Sequence, residues 1–419
     1  MAFASLGLNK SLTDTVSQLG FTTPTPIQVE AIPYVLDGKD VLGGAQTGTG
    51  KTAAFGLPII QKLMESPLER VAGSIVVRTL ILTPTRELAQ QVFDSLVSYS
   101  QNTDVKVVVA YGGTSVKVQT NNLKGGADIL VATPGRLLDH LYLKNISLSQ
   151  TEFLVLDEAD RMLDMGFMPD IQRILNRMPV QRQTLFFSAT FTQQIKTIAF
   201  KILDEPILVQ VTPKNSAADS VEQMVYPVDK HRKPELLSHL IGSRNWHQVL
   251  VFTKTKQGSD QLVKELKLDG IKAASINGDK SQGARLRALE QFKTGKIRVL
   301  VATDVAARGI DIQQLEYVVN FELPFKAEDY IHRIGRTGRA GSTGLAISLM
   351  SQDEEYLLKA IETLLDNRLP QEWLKGYEPD PNAPKTEQHE KMNRGRSADK
   401  RRMKAKLSIH KSRGKRSKK

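Results

Sequence analysis

Residues 153–160, Phe-Leu-Val-Leu-Asp-Glu-Ala-Asp, set three carboxylates directly behind four apolar side chains. An acidic cluster of this kind is suited to a cation, and its identity must come from elsewhere in the chain. The candidate is Val41-Leu-Gly-Gly-Ala-Gln-Thr-Gly-Thr-Gly-Lys-Thr52. Glycines here let backbone N–H groups close around phosphate oxygens, and a helix starting at the end of the loop adds the positive end of its dipole. Lys51 reaches the outer phosphates and Thr52 ligates magnesium. A plain structural turn is the alternative, but a strand before the loop and a helical pattern from Thr52 favour a nucleoside triphosphate.

The elements that must position these groups are legible. The apolar run 153–156 suits a strand buried on both faces of a parallel sheet, and open α/β sheets bind ligands at the carboxyl ends of their strands. Gly20-Phe-Thr-Thr-Pro-Thr-Pro-Ile-Gln28 is a proline-stiffened loop that opens a helix at Pro26. Phe21 can stack on a flat heterocycle, and Gln28 can form paired hydrogen bonds with an adenine edge. Three more strand ends, at Thr83-Pro-Thr-Arg-Glu-Leu-Ala89, Gly112-Gly113 and Thr133-Pro-Gly-Arg136, offer backbone donors plus arginine, which suits phosphate. Ordinary loops would look the same singly. The strand 184–190 ends in Ser188 and Thr190, placed to join a polar network beside the carboxylates.

A second strand and helix alternation follows the polar stretch Val211 to Ser220, which reads as a linker. Its strands are expected at 248–253, 272–275, 297–303, 317–320 and 345–349. Leu80-Ile-Leu-Thr83 is echoed by Leu250-Val-Phe-Thr253, and Ile129-Leu-Val-Ala-Thr133 by Val299-Leu-Val-Ala-Thr303, with the same spacing in both halves. The chain therefore reads as two domains of one fold, offering equivalent threonines to a common ligand. The second half lacks a phosphate loop and carries arginine instead, in His332-Arg-Ile-Gly-Arg-Thr-Gly-Arg339 and at Arg308. Arginine opposite a phosphate site stabilises charge on a transferring phosphoryl group.

The 419 residues, 40% hydrophobic and 24% charged, fit a globular protein of two or three domains. No apolar run approaches the ~18 residues of a membrane span. The absence of cysteine excludes disulfides and thiolate metal sites and points to the cytoplasm. The net charge of +12 lies wholly in residues 385–419, which hold 15 Lys or Arg against three acids. Such a segment reads as a disordered basic arm for nucleic acid, with a solubilising terminus or a dock for an acidic protein as alternatives.

In this order and combination the segments resemble the DEAD-box family of ATP-dependent RNA helicases of superfamily 2. The likeness runs from Phe3 to about residue 350 and includes Val251-Phe-Thr253, Gln282 with Arg285, and Thr303-Asp304 through Asp311. Ala45, where a strict phosphate loop has glycine, is the family's own form. Arg161 to Phe167 and the basic tail look most like the bacterial RhlE-type branch.

The resemblance implies an α/β protein of two tandem RecA-like domains, each a mainly parallel sheet flanked by helices, closing over ATP and single-stranded RNA. The first would span 1–210, with the linker at 211–220, the second domain at 221–370 and the basic disordered tail at 371–419. For ATP it implies Phe21 and Gln28 at adenine, with Phe3 as the upstream aromatic. Ala45, Gln46, Thr47, Gly48, Thr49, Gly50, Lys51 and Thr52 would surround the phosphates, and Asp304 would lie near the ribose. Magnesium would be held by Thr52 and, through water, by Asp157. Glu158 would polarise the attacking water, and Arg336 and Arg339 would be fingers from the second domain.

RNA would be held largely without regard to sequence by Pro84, Thr85, Arg86, Gly113, Thr133, Arg136, Thr253, Gln282, Arg285 and Thr303. Asp160, Ser188, Thr190 and His332 would couple the two ligands. Proteins of ribosome assembly or RNA decay are partners suggested by the family. An ATP-gated RNA clamp and a DNA-translocating helicase are the alternative functions.

Overall fold

The computed structural model describes residues 2–45, 49–67, 75–211, 221–307, 315–338 and 344–380. The first sheet contains β1 (Val41–Gly44), β2 (Val77–Leu82), β3 (Val107–Ala110), β4 (Ala127–Ala132), β5 (Phe153–Leu156), β6 (Gln183–Ser188) and β7 (Ile207–Gln210). They lie in the order β3-β4-β2-β5-β6-β1-β7, every pairing parallel. The second sheet contains β8 (Val221–Pro227), β9 (Val249–Thr253), β10 (Ala273–Ile276), β11 (Val299–Thr303), β12 (Tyr317–Asn320) and β13 (Gly344–Met350). Its order, β10-β11-β9-β12-β13-β8, is also wholly parallel and repeats that of the first sheet without β7.

Helices cover both faces of each sheet, which is why the strands are apolar in nearly every position. In β5, Phe153 and Val155 pack into one core with Phe55, Ile59 and Leu96, while Leu154 and Leu156 pack into the opposite core with Met162 and Phe186. The alternation recurs in β9, where Val249 and Val251 face one core and Leu250 and Phe252 the other. Because all strands are parallel, their carboxyl ends share one edge of each sheet, and the loops that leave that edge carry nearly all the sequence-predicted groups.

The five strands expected in the second half are present, with ends shifted by up to two residues. Two others, β7 and β8, were not expected: each flanks the linker, β7 is a half-exposed run of only three apolar residues, and β8 is interrupted by Glu222 and Gln223. The reading of 371–419 as one tail fails at its start. Gln371 bridges to Val225, Glu372 accepts from Tyr226 Oη at 3.0 Å, and Leu374 and Tyr377 pack on the second domain's core. The rest of the tail, 381–419, and linker residues 212–220 lie outside the described residues.

His140, on the helix Pro134–Tyr142, is fully buried, with Nε2 3.1 Å from Gln119 Oε1 and Nδ1 3.1 Å from Asn145 Nδ2. These partners suit a neutral ring protonated on Nε2. Burial, helped by Arg136, lowers its pKa below the ordinary histidine value. The folded chain then binds fewer protons than the unfolded one, so stability falls as pH drops through about 6.5, the unfolded value. Thermal unfolding between pH 7.5 and 5.5 should show this fall, with a shallower pH dependence in His140→Gln.

Candidate active site and nucleic-acid interface

β1 passes into the helix Lys51–Glu65 through the glycine loop, of which Gln46, Thr47 and Gly48 lie outside the described residues. Ala45 continues the strand edge, its N–H donating to Ser188 O. Gly50 caps the helix in the left-handed region at φ 92°, and a Cβ there would run into the Gln28 amide. That amide accepts from Thr25 N (2.8 Å) and donates to Gly50 O (3.0 Å), fastening the Gly20 to Gln28 loop to the phosphate loop. One amide N–H and one oxygen lone pair remain for a base. Phe21 is 47% exposed and meets Tyr99 edge-on, whereas Phe3 is 6% exposed and packs in the core, so it supports the loop without offering a stacking face.

Lys51 is 5% exposed, and its Nζ lies 3.4 Å from Asp157 Oδ1 with no hydrogen-bond partner among the described residues. A buried ammonium with unused donors, beside a helix N-terminus, is suited to phosphate oxygens. Thr52 follows it on the first turn. At the end of β5, Asp157 Oδ1 accepts from the N–H of Glu158, whose φ of 52° is left-handed. For a non-glycine residue this costs roughly 1–2 kcal/mol. Arg161, one turn along, lies 2.5 Å from Glu158 Oε2, and both are buried. Burial raises the Asp157 pKa despite Lys51. Burial would raise that of Glu158 too, but Arg161, Lys51 and Arg336 together bring it down to about 2.

Asp160 turns away from this pair. Its Oδ2 accepts from Ala189 N (3.2 Å), Thr190 N (3.1 Å) and Thr190 Oγ1 (3.1 Å), while Ser188 Oγ donates to Thr190 O (2.6 Å). From the second domain, His332, Asp329 and Arg336 line the same small pocket as Glu158, Asp160, Arg161, Asp164 and Ala189. Lys326 pairs with Asp164 across the cleft at 2.7 Å. Arg339 and Arg308 lie outside the described residues. Asp304, expected near a ribose, is gripped by Arg333 Nε (2.6 Å) and Nη2 (2.8 Å).

The proposed RNA groups gather at the other end of the same edges. Thr83 and Thr253 both direct Oγ1 to a carbonyl two residues on, and Thr85 and Thr255 both cap the next helix. Pro84 is buried between Thr83 and Thr85, Thr133 precedes the helix Pro134–Tyr142, and Thr303 ends β11 in register with Thr253. Gly113, at φ 79°, leaves room for the Arg86 guanidinium that any side chain would displace. Arg136, by contrast, is turned inward, donating to Thr114 O (3.1 Å) and Gln119 Oε1 (2.9 Å) and pairing with Asp139. Gln282 Nε2 and Arg285 Nη2 reach across to Glu87 Oε1 at 3.2 and 3.0 Å.

Sequence reasoning gave no role to Arg161, Glu87, Lys326 or Asp164, and took Arg333 only as one of the arginine run. Arg161 stands three residues after Glu158, a helical spacing that could have flagged it. Glu87, Arg333 and the Lys326–Asp164 pair depend on tertiary contacts that no local pattern reports.

Comparison with known proteins shows the family and the fold. The DEAD/DEAH box helicase family matches residues 25–198, and the helicase conserved C-terminal domain matches 232–341. The chain is 44% identical over 372 residues to ATP-dependent RNA helicase RhlB of Pseudomonas syringae pv. tomato, covering 88% of this chain and 93% of that protein. It is 43% identical over 367 residues to ATP-dependent RNA helicase CshA of Listeria monocytogenes, covering 88% and 69%. The S. cerevisiae Dbp5 structure bound to RNA and ADP BeF3 superposes with a TM-score of 0.79 at 30% identity, covering 89% of this chain and 95% of that one. Two RecA-like domains with a phosphate loop on one and an arginine helix on the other define the class. The chain belongs to the DEAD/DEAH box helicase family.

Replacing Gly50 with alanine forces a Cβ into the Gln28 amide in a left-handed backbone. Gly50→Ala should lose about 1–2 kcal/mol of stability by denaturant unfolding and bind ATP more weakly in a fluorescent-nucleotide titration.

Proposed function

We propose that this protein is an ATP-dependent RNA helicase whose RNA-stimulated ATPase is assembled by domain closure and drives local unwinding of short duplexes or remodelling of RNA–protein complexes. The observation that carries the reading is the pocket in which Glu158 and Arg161 of the first domain meet His332 and Arg336 of the second. The domains divide as 1–210 and 221–370, with the segment to residue 380 added to the second.

Lys51 and the loop from Ala45 through Gly50 receive the phosphates, Phe21 lies against adenine, and Gln28 reads its edge with the remaining N–H and lone pair. Asp304, held by Arg333, faces the ribose. Thr52 and Asp157 offer the hard oxygens magnesium prefers. Thr52 would hold the ion directly and Asp157 through water, with the phosphates completing its shell. When bound, magnesium supplies charge neutralisation at the transferred phosphate.

Glu158 polarises the attacking water: ionised at neutral pH, it accepts a hydrogen bond from that water and aligns it on the γ-phosphorus. Arg336, with Arg339, brings positive charge to that phosphate only on closure. Because Asp160 is bonded to Ala189 and Thr190, a shift in the 188–190 loop is felt at β5, and His332 sits at the same junction. RNA lies along Pro84, Thr85, Arg86, Gly113, Thr133, Thr253 and Thr303, through phosphate and sugar, so sequence matters little. Arg136 acts there from behind, by fixing the loop at Thr114. Gln282 and Arg285, tied to Glu87, close the groove.

We also propose a cytoplasmic location, consistent with the cysteine-free chain, an RNA-binding role for the basic tail, and the RhlE-type branch from Arg161 to Phe167. Partners in ribosome assembly or RNA decay fit the same reading. No helix of the described residues is long and apolar enough to cross a membrane.

Steady-state ATP hydrolysis without nucleic acid, with single-stranded RNA and with DNA tests the function. RNA alone should stimulate; equal stimulation by DNA would favour a DNA translocase. Glu158→Gln should bind ATP and RNA together while losing about 10²-fold or more of turnover, and near-normal turnover in this variant would remove Glu158 from its role.

A further inference from the structure

The repeated strand order puts β8 in the place of β1, so residues 228–232 and the helix Lys233–Ser243 stand where the phosphate loop and its helix stand in the first domain. Lys233 begins its helix as Lys51 begins its own. Val228-Asp-Lys-His-Arg232 contains no glycine to bring backbone donors around a phosphate. Instead the buried Lys233 ammonium pairs with Glu354 and donates to the carbonyl of Phe321 (3.0 Å), the residue that follows β12 as Asp157 follows β5.

Glu354, from the turn Gln352–Glu354 after β13, is 3% exposed. Its Oε1 accepts from Lys254 Nζ (2.7 Å) and Leu323 N (3.2 Å), and its Oε2 from Ser351 Oγ (3.2 Å) and Ser351 N (3.4 Å) as well as from Lys233. Two ammonium groups, a hydroxyl and two backbone N–H groups are a phosphate's donor set, here turned on the chain's own carboxylate. Burial alone would raise the Glu354 pKa, but Lys233 and Lys254 lower it.

The donors belong to elements with different tasks. Lys254 directly follows Thr253 at the tip of β9, and its N–H donates to Glu322 Oε2 at 2.7 Å. Leu323 lies in the segment joining β12 to the helix Ala327–Ile334, which carries His332 and leads to Arg336. In that segment Phe325 lies under the Lys254 ammonium, 4.9 Å from ring centroid to Nζ, and Lys326 reaches Asp164 of the first domain.

We propose that Glu354 is a positioning residue for RNA-stimulated hydrolysis: an internal anion in the second domain's counterpart of the phosphate site, fastening the RNA-facing β9 tip to the segment that sets Arg336. This rests on the roles proposed above for Thr253 and Arg336. RNA seated at Thr253 moves Lys254, and through the Glu354 carboxylate that movement reaches Leu323 and the arginine helix. Removing the carboxylate leaves Lys233 and Lys254 repelling one another and lets the two segments move separately.

The test uses the full-length protein. Glu354→Ala should lower RNA-stimulated kcat by roughly tenfold with little change in KM for ATP, and sodium formate, but not sodium chloride, should restore stimulation saturably by filling the vacated anion site. Glu354→Gln, which keeps the shape without the charge, should show the loss without the rescue. Stimulation of Glu354→Ala at the wild-type level, or a loss that formate leaves untouched, overturns the proposal. If Glu354→Ala does not fold, Lys254→Met, which retains the Lys233–Glu354 pair, must lose stimulation, and wild-type stimulation there overturns it equally. A wild-type protein that RNA does not stimulate overturns the reading on which the proposal rests, and the proposal with it.

Discussion

Everything at the first domain's active edge depends on one buried ion pair, Lys51 with Asp157, held 3.4 Å apart at the ends of neighbouring structural elements. Taking either charge from water costs several kcal/mol, and one contact at this distance does not satisfy an ammonium with three donors. The surroundings add to the imbalance. Glu158 stands beside Asp157, Arg161 beside Glu158, and Arg336 approaches from the other domain, giving three cations against two carboxylates. A buried ammonium with unused donors, backed by a helix N-terminus, is ready for the phosphates of ATP. Lys51 and the carboxylates are held by the first domain's own packing, so little reorganisation is left there for the chemical step, and Arg336 joins on closure.

The same constraint explains why two domains are needed. The first domain has the phosphate loop and the carboxylates; the second has spent its own phosphate position on Lys233 and Glu354 and contributes arginine. Among the described residues, polar pairs join them. The exposed pair Lys326–Asp164 contributes about 0–1 kcal/mol, while Glu87 with Gln282 and Arg285 is more enclosed and sits beside the proposed RNA groove. On the proposed mechanism such a seam forms in the closed arrangement and opens in each cycle. Ligands that touch both sides then decide how often it closes.

Much of this was legible in the chain, for physical reasons. β5 announces itself because both faces of the sheet are covered, so its apolar run is unbroken and its carboxylates must lie at the edge. The repeated threonines at 83 and 253, and at 133 and 303, were readable because one fold occurs twice, and the structure puts Thr253 and Thr303 in register. β7 and β8 escaped because a half-exposed edge strand and a strand beside a polar linker lack that signature. Arg136 carries the residue type of a phosphate contact but is buried against Gln119, and Asp304 is already engaged by Arg333: side-chain direction is set by packing, which residue identity does not encode. The ordered start of the presumed tail, at 371–380, was missed because its anchors, Leu374 and Tyr377, are isolated apolar residues in a polar stretch.

The central claim is that closure joins an ATP half-site to an arginine half-site and that RNA and ATP both favour it. Linkage then requires each ligand to tighten the other by the same factor. The direct measurement is the equilibrium dissociation constant for single-stranded RNA, by fluorescence anisotropy at fixed salt, with and without a saturating non-hydrolysable ATP analogue. Affinity should rise by about tenfold or more when the analogue is present. An RNA affinity indifferent to the analogue would contradict the account.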